Sequence, residues 1–259
     1  MTGILEGQRV LITAGGSGIG KTMAEAFAES GARVWVVDVN GDSLDGCPSE
    51  WRRDRVDVSD PDGMSDLFRR IGEAWQGLDA LCANAGTPGP TALLEDQPVD
   101  GFRACLAVNV EGAFLASKGA LPMMKAAGRG SIVFTSSTAG LYGFPLRAPY
   151  AAAKWAINGL MKTVAMEAGP YGVRANVVAP GCVEGPRIDG VIAREAAAKG
   201  MSPEAVRSAY EGGTSMRTFV TARDIANMAV FLSSPAAARV SGQIIAVDGH
   251  TENPDPKAG

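Results

Sequence analysis

Tyr150 and Lys154 stand four residues apart, and Ser137 lies thirteen residues before the tyrosine. Positions four apart on a helix share a face, so the phenol and the ammonium can open into one pocket. A cation beside a phenol favours the phenolate and draws its pKa from about 10 toward neutrality. A phenol tuned in this way can exchange a proton with an alcohol or a ketone near physiological pH. Ser137 would add a hydroxyl to the same substrate oxygen. Chance also produces such pairs in a chain with four tyrosines, so the surrounding elements must decide what the pair is for.

Those elements alternate. Val10–Thr13, Arg33–Asp38, Arg55–Val58, Leu78–Asn84, Gly130–Ser137, Val173–Ala179 and Gln243–Val247 read as strands. Gly18–Ser30, Pro61–Trp75, Asp100–Ala127, Tyr150–Ala168 and Asp224–Ser233 read as helices, the third bent or extended near Gly112. Mostly apolar strands alternating with amphipathic helices predict a parallel sheet covered on both faces. The expected architecture is a single-domain α/β fold, a Rossmann-type doubly wound parallel sheet of about seven strands. Its ligands would sit at the strand C-terminal ends. Residues 184–217 interrupt the rhythm with Gly, Pro and two short helical patches, which predicts a substrate lid. Residues 253–259 read as a loose tail.

Composition narrows the function. A net charge of −4 argues against bulk attraction to nucleic acid or to an anionic membrane. No apolar run approaches the roughly 18 residues of a membrane span, and the first residues lack a signal-peptide layout. The four cysteines, Cys47, Cys82, Cys105 and Cys182, have no metal or redox spacing. Buried thiols in a reducing cytoplasm, with no metal, are the expectation.

Thr13-Ala-Gly-Gly-Ser-Gly-Ile-Gly20 lies between the first strand and the first helix. Its backbone, through Gly15, Ser17, Gly18, Ile19 and Gly20, can approach a pyrophosphate, whose charge the helix N-terminus favours. Asp38 ends the second strand, where a carboxylate accepts from both ribose hydroxyls of an adenosine and repels a 2′-phosphate. No Arg or Lys follows directly, so NAD is expected in preference to NADP.

Together these pieces resemble the short-chain dehydrogenase/reductase family over about Leu5 to Gly249. The likeness rests on the glycine loop, Asp57 in Val-Asp-Val-Ser-Asp, Asn84-Ala-Gly86, Asn109 in Val-Asn-Val, Ser137, Tyr150, Lys154 and Pro180-Gly181. The resemblance implies that Tyr150 is the general acid/base and that Lys154 binds the nicotinamide ribose and depresses the tyrosine pKa. It implies that Ser137, rather than Ser136, holds the substrate oxygen, and that Asn109 keeps a water in a proton relay through Lys154. Asp57 and the backbone of Val58 would meet adenine, Asn84 and Gly86 would line the adenosine ribose, and Val183 would meet the carboxamide. Asn84 and Asn109 have a second reading, the satisfaction of buried backbone groups. The chain departs from the family at Ala14 and at Gly185, where glycine and threonine are usual. Ala14 is tolerable only at negative φ. Family members commonly form tetramers through the helices matching 100–127 and 150–168.

On the substrate side the lid offers Glu184, Arg187 and Arg194, and the loop before the tyrosine offers Arg147. A guanidinium fork suits a carboxylate, so Arg187 is the favoured candidate for an acidic substrate group unless a lid acid claims it. Leu141, Tyr142, Phe144 and Leu146 would form an apolar wall or simply pack the loop. His250, the one histidine, is a further candidate substrate residue. The expected activity interconverts a small secondary alcohol, such as a hydroxy acid or a sugar-derived acid, and its ketone. Two alternatives stand beside it: a 3-oxoacyl-carrier-protein reductase and a non-catalytic NAD-binding sensor.

Overall fold

The computed structural model describes residues 3–253. Its strands are β1 (Arg9–Thr13), β2 (Arg33–Asp38), β3 (Arg52–Arg55), β4 (Ala80–Ala83), β5 (Gly130–Thr135), β6 (Val173–Pro180) and β7 (Ile244–Val247). They pair in parallel in the order β3-β2-β1-β4-β5-β6-β7. Parallel neighbours need crossovers, and the helices that make them cover both faces. The central strands are accordingly apolar and buried on both faces, whereas β3 is largely exposed.

One face packs on α1 (Gly18–Glu29) and α9 (Ala222–Ser233) through Phe27, Met23, Ile225 and Val230. The other packs on α3 (Pro61–Trp75), α5 (Gly112–Ala127) and α6 (Ala148–Ala168) through Leu67, Ile71, Met124 and Met161. Full burial of each such side chain stabilises the fold by about 1.5–3 kcal/mol. Two more helices, α7 (Pro186–Lys199) and α8 (Pro203–Gly212), pack together in the segment expected to be a lid.

Three features differ from the sequence reading. The third strand is Arg52–Arg55, three residues earlier than expected. It is an edge strand of four charged residues, paired with Trp35–Asp38. Arg52 lies 5.1 Å over the Trp35 ring, and the Trp35 indole donates to Asp54 at 2.7 Å. Its side chains therefore gain from cross-strand contacts that hydropathy does not register. The apolar Val56 and Val58 lie beyond the ladder, in the core.

A five-residue helix, α2 (Gly41–Asp45), follows β2 and is capped by Asn40. The long helical run 99–127 is divided: α4 (Val99–Leu106) passes through a π-turn at Ala107–Glu111 into α5. By length and composition alone, Val99–Ala127 could cross a membrane. Here Ala113, Ala116, Ala120 and Met124 pack in the core against the sheet and α3, while Val99 and Phe114 are exposed.

Of the expected tail, Asn253 is held by its amide on the Gly213 carbonyl at 3.1 Å; residues 254–259 lie outside the described ones.

Candidate active site

Strand β5 ends at Thr135, and Ser136 and Ser137 continue it onto a single turn at Thr138–Gly140. Ser137 has extended backbone and its hydroxyl accepts from the Ala139 amide at 3.2 Å. Ser136 points the other way, donating to the Lys154 carbonyl at 3.0 Å. Ser136 therefore fastens β5 to α6, while the buried Ser137 hydroxyl lies beside Tyr150.

Helix α6 starts at Ala148, with Pro149 in its first turn, where the missing amide costs nothing. Tyr150, in the same turn, and Lys154, one turn on, share a face of the helix. Lys154 is 2% exposed, with its Nζ 5.5 Å from the Tyr150 ring centroid, and donates to the Thr135 carbonyl at 2.9 Å. Burial by itself would raise the Tyr150 pKa. The positive charges of Lys154, Arg187 and Arg147 and the nearby Ser137 hydroxyl outweigh it and hold the phenol below its ordinary value. Burial likewise lowers Lys154, against the opposing pull of the phenol.

The π-turn matters because one extra residue per turn re-aims side chains. Asn109, inside it, is 1% exposed. Its amide donates to the carbonyls of Cys105 and Thr87, at 2.9 and 3.0 Å. Its Oδ1 has no partner. A Cβ placed on Gly86 would meet that oxygen at 2.6 Å and Lys154 Nζ at 3.3 Å. An unsatisfied acceptor and a buried ammonium thus converge on one glycine, as a bridging water or ribose hydroxyl requires.

The glycine loop has the form of a phosphate cradle. Helix α1 opens at Ser17 with no side-chain cap and no acid in its first turn, leaving its amides free for an anion. Gly20 is packed so closely that a Cβ would lie 2.0 Å from the Ala14 carbonyl oxygen. Gly15 donates to the Val37 carbonyl, and Ile19 turns inward onto the α1–α9 layer. Gly18 takes a positive φ. Asp38 accepts from the Gly16 amide at 3.1 Å and the Asn40 amide at 3.0 Å, so its carboxylate is fixed at the rim. The exposed Asp57 is held by the Ser59 amide and hydroxyl, which draw its pKa down. Val58 packs beneath Gly112, where a Cβ would come within 2.7 Å of it.

Asn84 uses its side chain structurally. Its amide donates to the Thr13 carbonyl at 3.2 Å, and its oxygen accepts from Thr135 at 3.2 Å, tying the ends of β1, β4 and β5 together. Gly181 continues β6, bonded to the Val247 carbonyl, and Val183 makes a bridge to Val220. Of the two family departures, the backbone accounts for Gly185 and not for Ala14. Ala14 sits at φ 51°, the strained case. Gly185 sits at φ 131°, which a threonine would adopt only with strain.

The substrate candidates separate. Arg147 is 4% exposed and its guanidinium stacks 4.9 Å from the Tyr150 ring centroid. Arg187 is exposed and acts on Tyr150 and Lys154 through its charge. His250 is bound to Ser215 at 3.0 Å and its amide to Asp248, so its contacts join the C-terminal segment to residue 215 rather than to the phenol. Phe144 stacks on Tyr210 of α8, linking the expected wall to the helical segment.

Sequence reasoning missed Arg55, which faces Asp38 across the β2–β3 pairing and donates to the Val39 carbonyl at 3.1 Å. Only the corrected register reveals it. It also missed Thr13, whose hydroxyl accepts the amides of Asn84 and Ala85. A cavity of about 690 Å³ opens at the opposite end of the sheet, beside Gln8, Asp79, Arg129 and Arg174, remote from these groups.

Comparison with known proteins gives the family and the fold. A family model described as enoyl-(acyl carrier protein) reductase matches residues 13–250. The chain is 32% identical to a D-beta-hydroxybutyrate dehydrogenase of Rhizobium meliloti, over 92% of this chain and 96% of that one. It is 32% identical to a 3-oxoacyl-acyl-carrier-protein reductase of Thermotoga maritima, over 95% and 98%. The crystal structure of an NAD+-bound xylitol dehydrogenase superposes with a TM-score of 0.91 at 27% identity, covering 94% of this chain and 98% of that one. The chain belongs to the short-chain dehydrogenase/reductase family and is an oxidoreductase acting on CH–OH donors.

Proposed function

We propose that the protein is an NAD(H)-dependent dehydrogenase/reductase that interconverts a small secondary alcohol and its ketone. The observation that carries this reading is the buried Lys154 beside the partly buried Tyr150, with the unpaired Asn109 oxygen converging with the Lys154 ammonium on Gly86. The bound nicotinamide would accept or supply the hydride. Tyr150 Oη takes the carbinol proton in oxidation and returns one to the carbonyl oxygen in reduction. The Ser137 hydroxyl holds that oxygen, and Lys154 keeps the phenolate accessible and presents its remaining N–H groups to a ribose. The Asn109 oxygen suits the outer end of a proton path from Lys154.

Asp38 supports NAD, because a fixed carboxylate would repel a 2′-phosphate. Arg55 lies on the same rim and would welcome that phosphate once the carboxylate is gone. Asp38→Ser should therefore raise the kcat/KM ratio of NADP to NAD about tenfold or more. A ratio that does not move would refute the assignment.

For the mechanism, NAD+ turnover over a panel of secondary alcohols is compared between wild type and Tyr150→Phe. A loss of roughly a hundred- to ten-thousand-fold in kcat is expected, with NADH affinity retained. Undiminished turnover would sink the proposal. A carrier-protein reductase, as in the Thermotoga relative, would instead prefer NADPH and an acyl-carrier substrate. We also propose a cytoplasmic homotetramer, supported by the exposed Phe114, Trp155 and Met166 on α5 and α6; sedimentation as a monomer would count against the assembly.

A further inference from the structure

Charge is sorted unevenly around the cleft. In the helical segment, Arg207 alone gathers three carboxylates: Glu184 at 2.6 Å, Asp189 at 3.3 Å and Glu211 at 3.2 Å. Glu195 is taken by Lys199 and by the Tyr210 hydroxyl. The acids nearest to Arg187 in sequence are therefore spent on Arg207. Among the described residues, Arg187 and Arg194 have no acidic partner.

Arg147 is the sharper case. Its guanidinium is buried, yet its one hydrogen bond runs from Nη2 to the Pro88 carbonyl at 3.2 Å. Its Nε has no partner. The ring faces of Tyr150 and Phe144, 4.9 and 5.9 Å away, offset part of the cost of burial. A buried cation without a counter-ion is nevertheless expensive, and Arg187 and Arg194 add repulsion to the desolvation already acting on it. Lys154, Arg187 and Arg147 thus bear on the phenol, and among the described residues no carboxylate is paired with any of them.

We propose that Arg147, assisted by Arg187, receives an anionic group carried by the substrate near its carbinol carbon, a carboxylate or a sulfonate. The preferred substrates are then acidic secondary alcohols. The stacking of Arg147 on Tyr150 places the anion beside the ring whose hydroxyl handles the proton. The planar fork suits two oxygens of such a group at once. This inference rests on the dehydrogenase reading above and deepens it.

The test uses matched probes: a short hydroxy acid, the corresponding hydroxy sulfonate, and the neutral amide of the acid. Each is assayed with NAD+ at the plateau of the pH profile. Wild type should favour at least one anionic probe over the amide by about tenfold or more in kcat/KM. The better of the two anions identifies the group. Arg147→Met should cost the anionic probes far more kcat/KM than the amide, chiefly through KM, when each variant is assayed at the plateau of its own pH profile, and Arg147→Lys should restore part of that difference. An amide that serves as well as both acids overturns the inference. So does Arg147→Met losing amide and acid turnover alike while still binding NADH, because that marks a purely structural arginine.

A second readout needs no turnover and no variant. The NADH-bound enzyme is titrated with the corresponding oxo acid, its sulfonate and its amide, followed by nicotinamide fluorescence. Anion-selective binding without any turnover upholds the inference and sinks the dehydrogenase reading. Turnover of neutral alcohols without anion selectivity does the reverse.

Discussion

The sheet platform and the helical segment 184–217 hold themselves together by different means. In the platform, apolar side chains are buried in continuous layers on both faces, and the site's polar groups are fixed by backbone carbonyls. Lys154 on Thr135, Asn109 on Cys105 and Thr87, and Asn158 on Gly140 are examples. The helical segment rests on a small core around Ile192, Val206 and Tyr210, closed by Phe219 just beyond it and by Phe144. Its charges are tied by partly exposed pairs converging on Arg207, and such pairs contribute little individually. Regions with few buried contacts open at lower free-energy cost than the global fold. The groups proposed to handle the proton therefore sit in the more stable region, and the helical segment proposed as a substrate lid opens at lower free-energy cost.

The strongest way to break that contrast is a cavity in each region. Phe134→Ala, at a fully buried position of β5, should cost about 3–5 kcal/mol of global stability, read by denaturant unfolding. Phe219→Ala should instead raise substrate KM and speed hydrogen exchange in α7 and α8, with a smaller change in the main unfolding transition. Equal global losses would show that the two regions fold as one unit.

A finer distinction comes from pH. Tyr150 is held below the usual tyrosine value, so alcohol oxidation, which needs the phenolate, should rise with pH and level off below about 10. Ketone reduction, which needs the phenol, should fall through the same range. Lys154→Met should move both limbs upward, and Arg187→Ala should move them upward by less. A limb that stays in place in both variants would remove these charges from the mechanism.

The smallest effect tests the glycine loop. Ala14 at φ 51° pays the left-handed penalty, so Ala14→Gly should stabilise the platform by about 1 kcal/mol in thermal unfolding. No gain would mean that the loop relaxes around the alanine.

Much of this was legible in the chain because the signals were local. The 12–13 residue helix after a glycine loop, the acid closing β2, and the four-residue spacing of Tyr150 and Lys154 each depend on neighbours in sequence. Helix bounds such as Pro61–Trp75 were readable from a proline start and a 3.6-residue period. The charged edge strand Arg52–Arg55 was not, because it is stabilised by Trp35 and Asp38 of another strand. The π-turn was not, because nothing in Val-Asn-Val distinguishes a widened turn from a regular one.

The sequence by itself determined the alternation that makes a doubly wound sheet, the residue types of the proposed proton machinery and the glycine loop between β1 and α1. The tertiary structure alone decided which arginines are spoken for. Glu184 and Arg187 lie three residues apart in the chain, yet the acid went to Arg207, twenty-three residues away on α8. Charge pairing depends on distance in space, and only the folded chain shows that the cations nearest the phenol were left without a counter-ion.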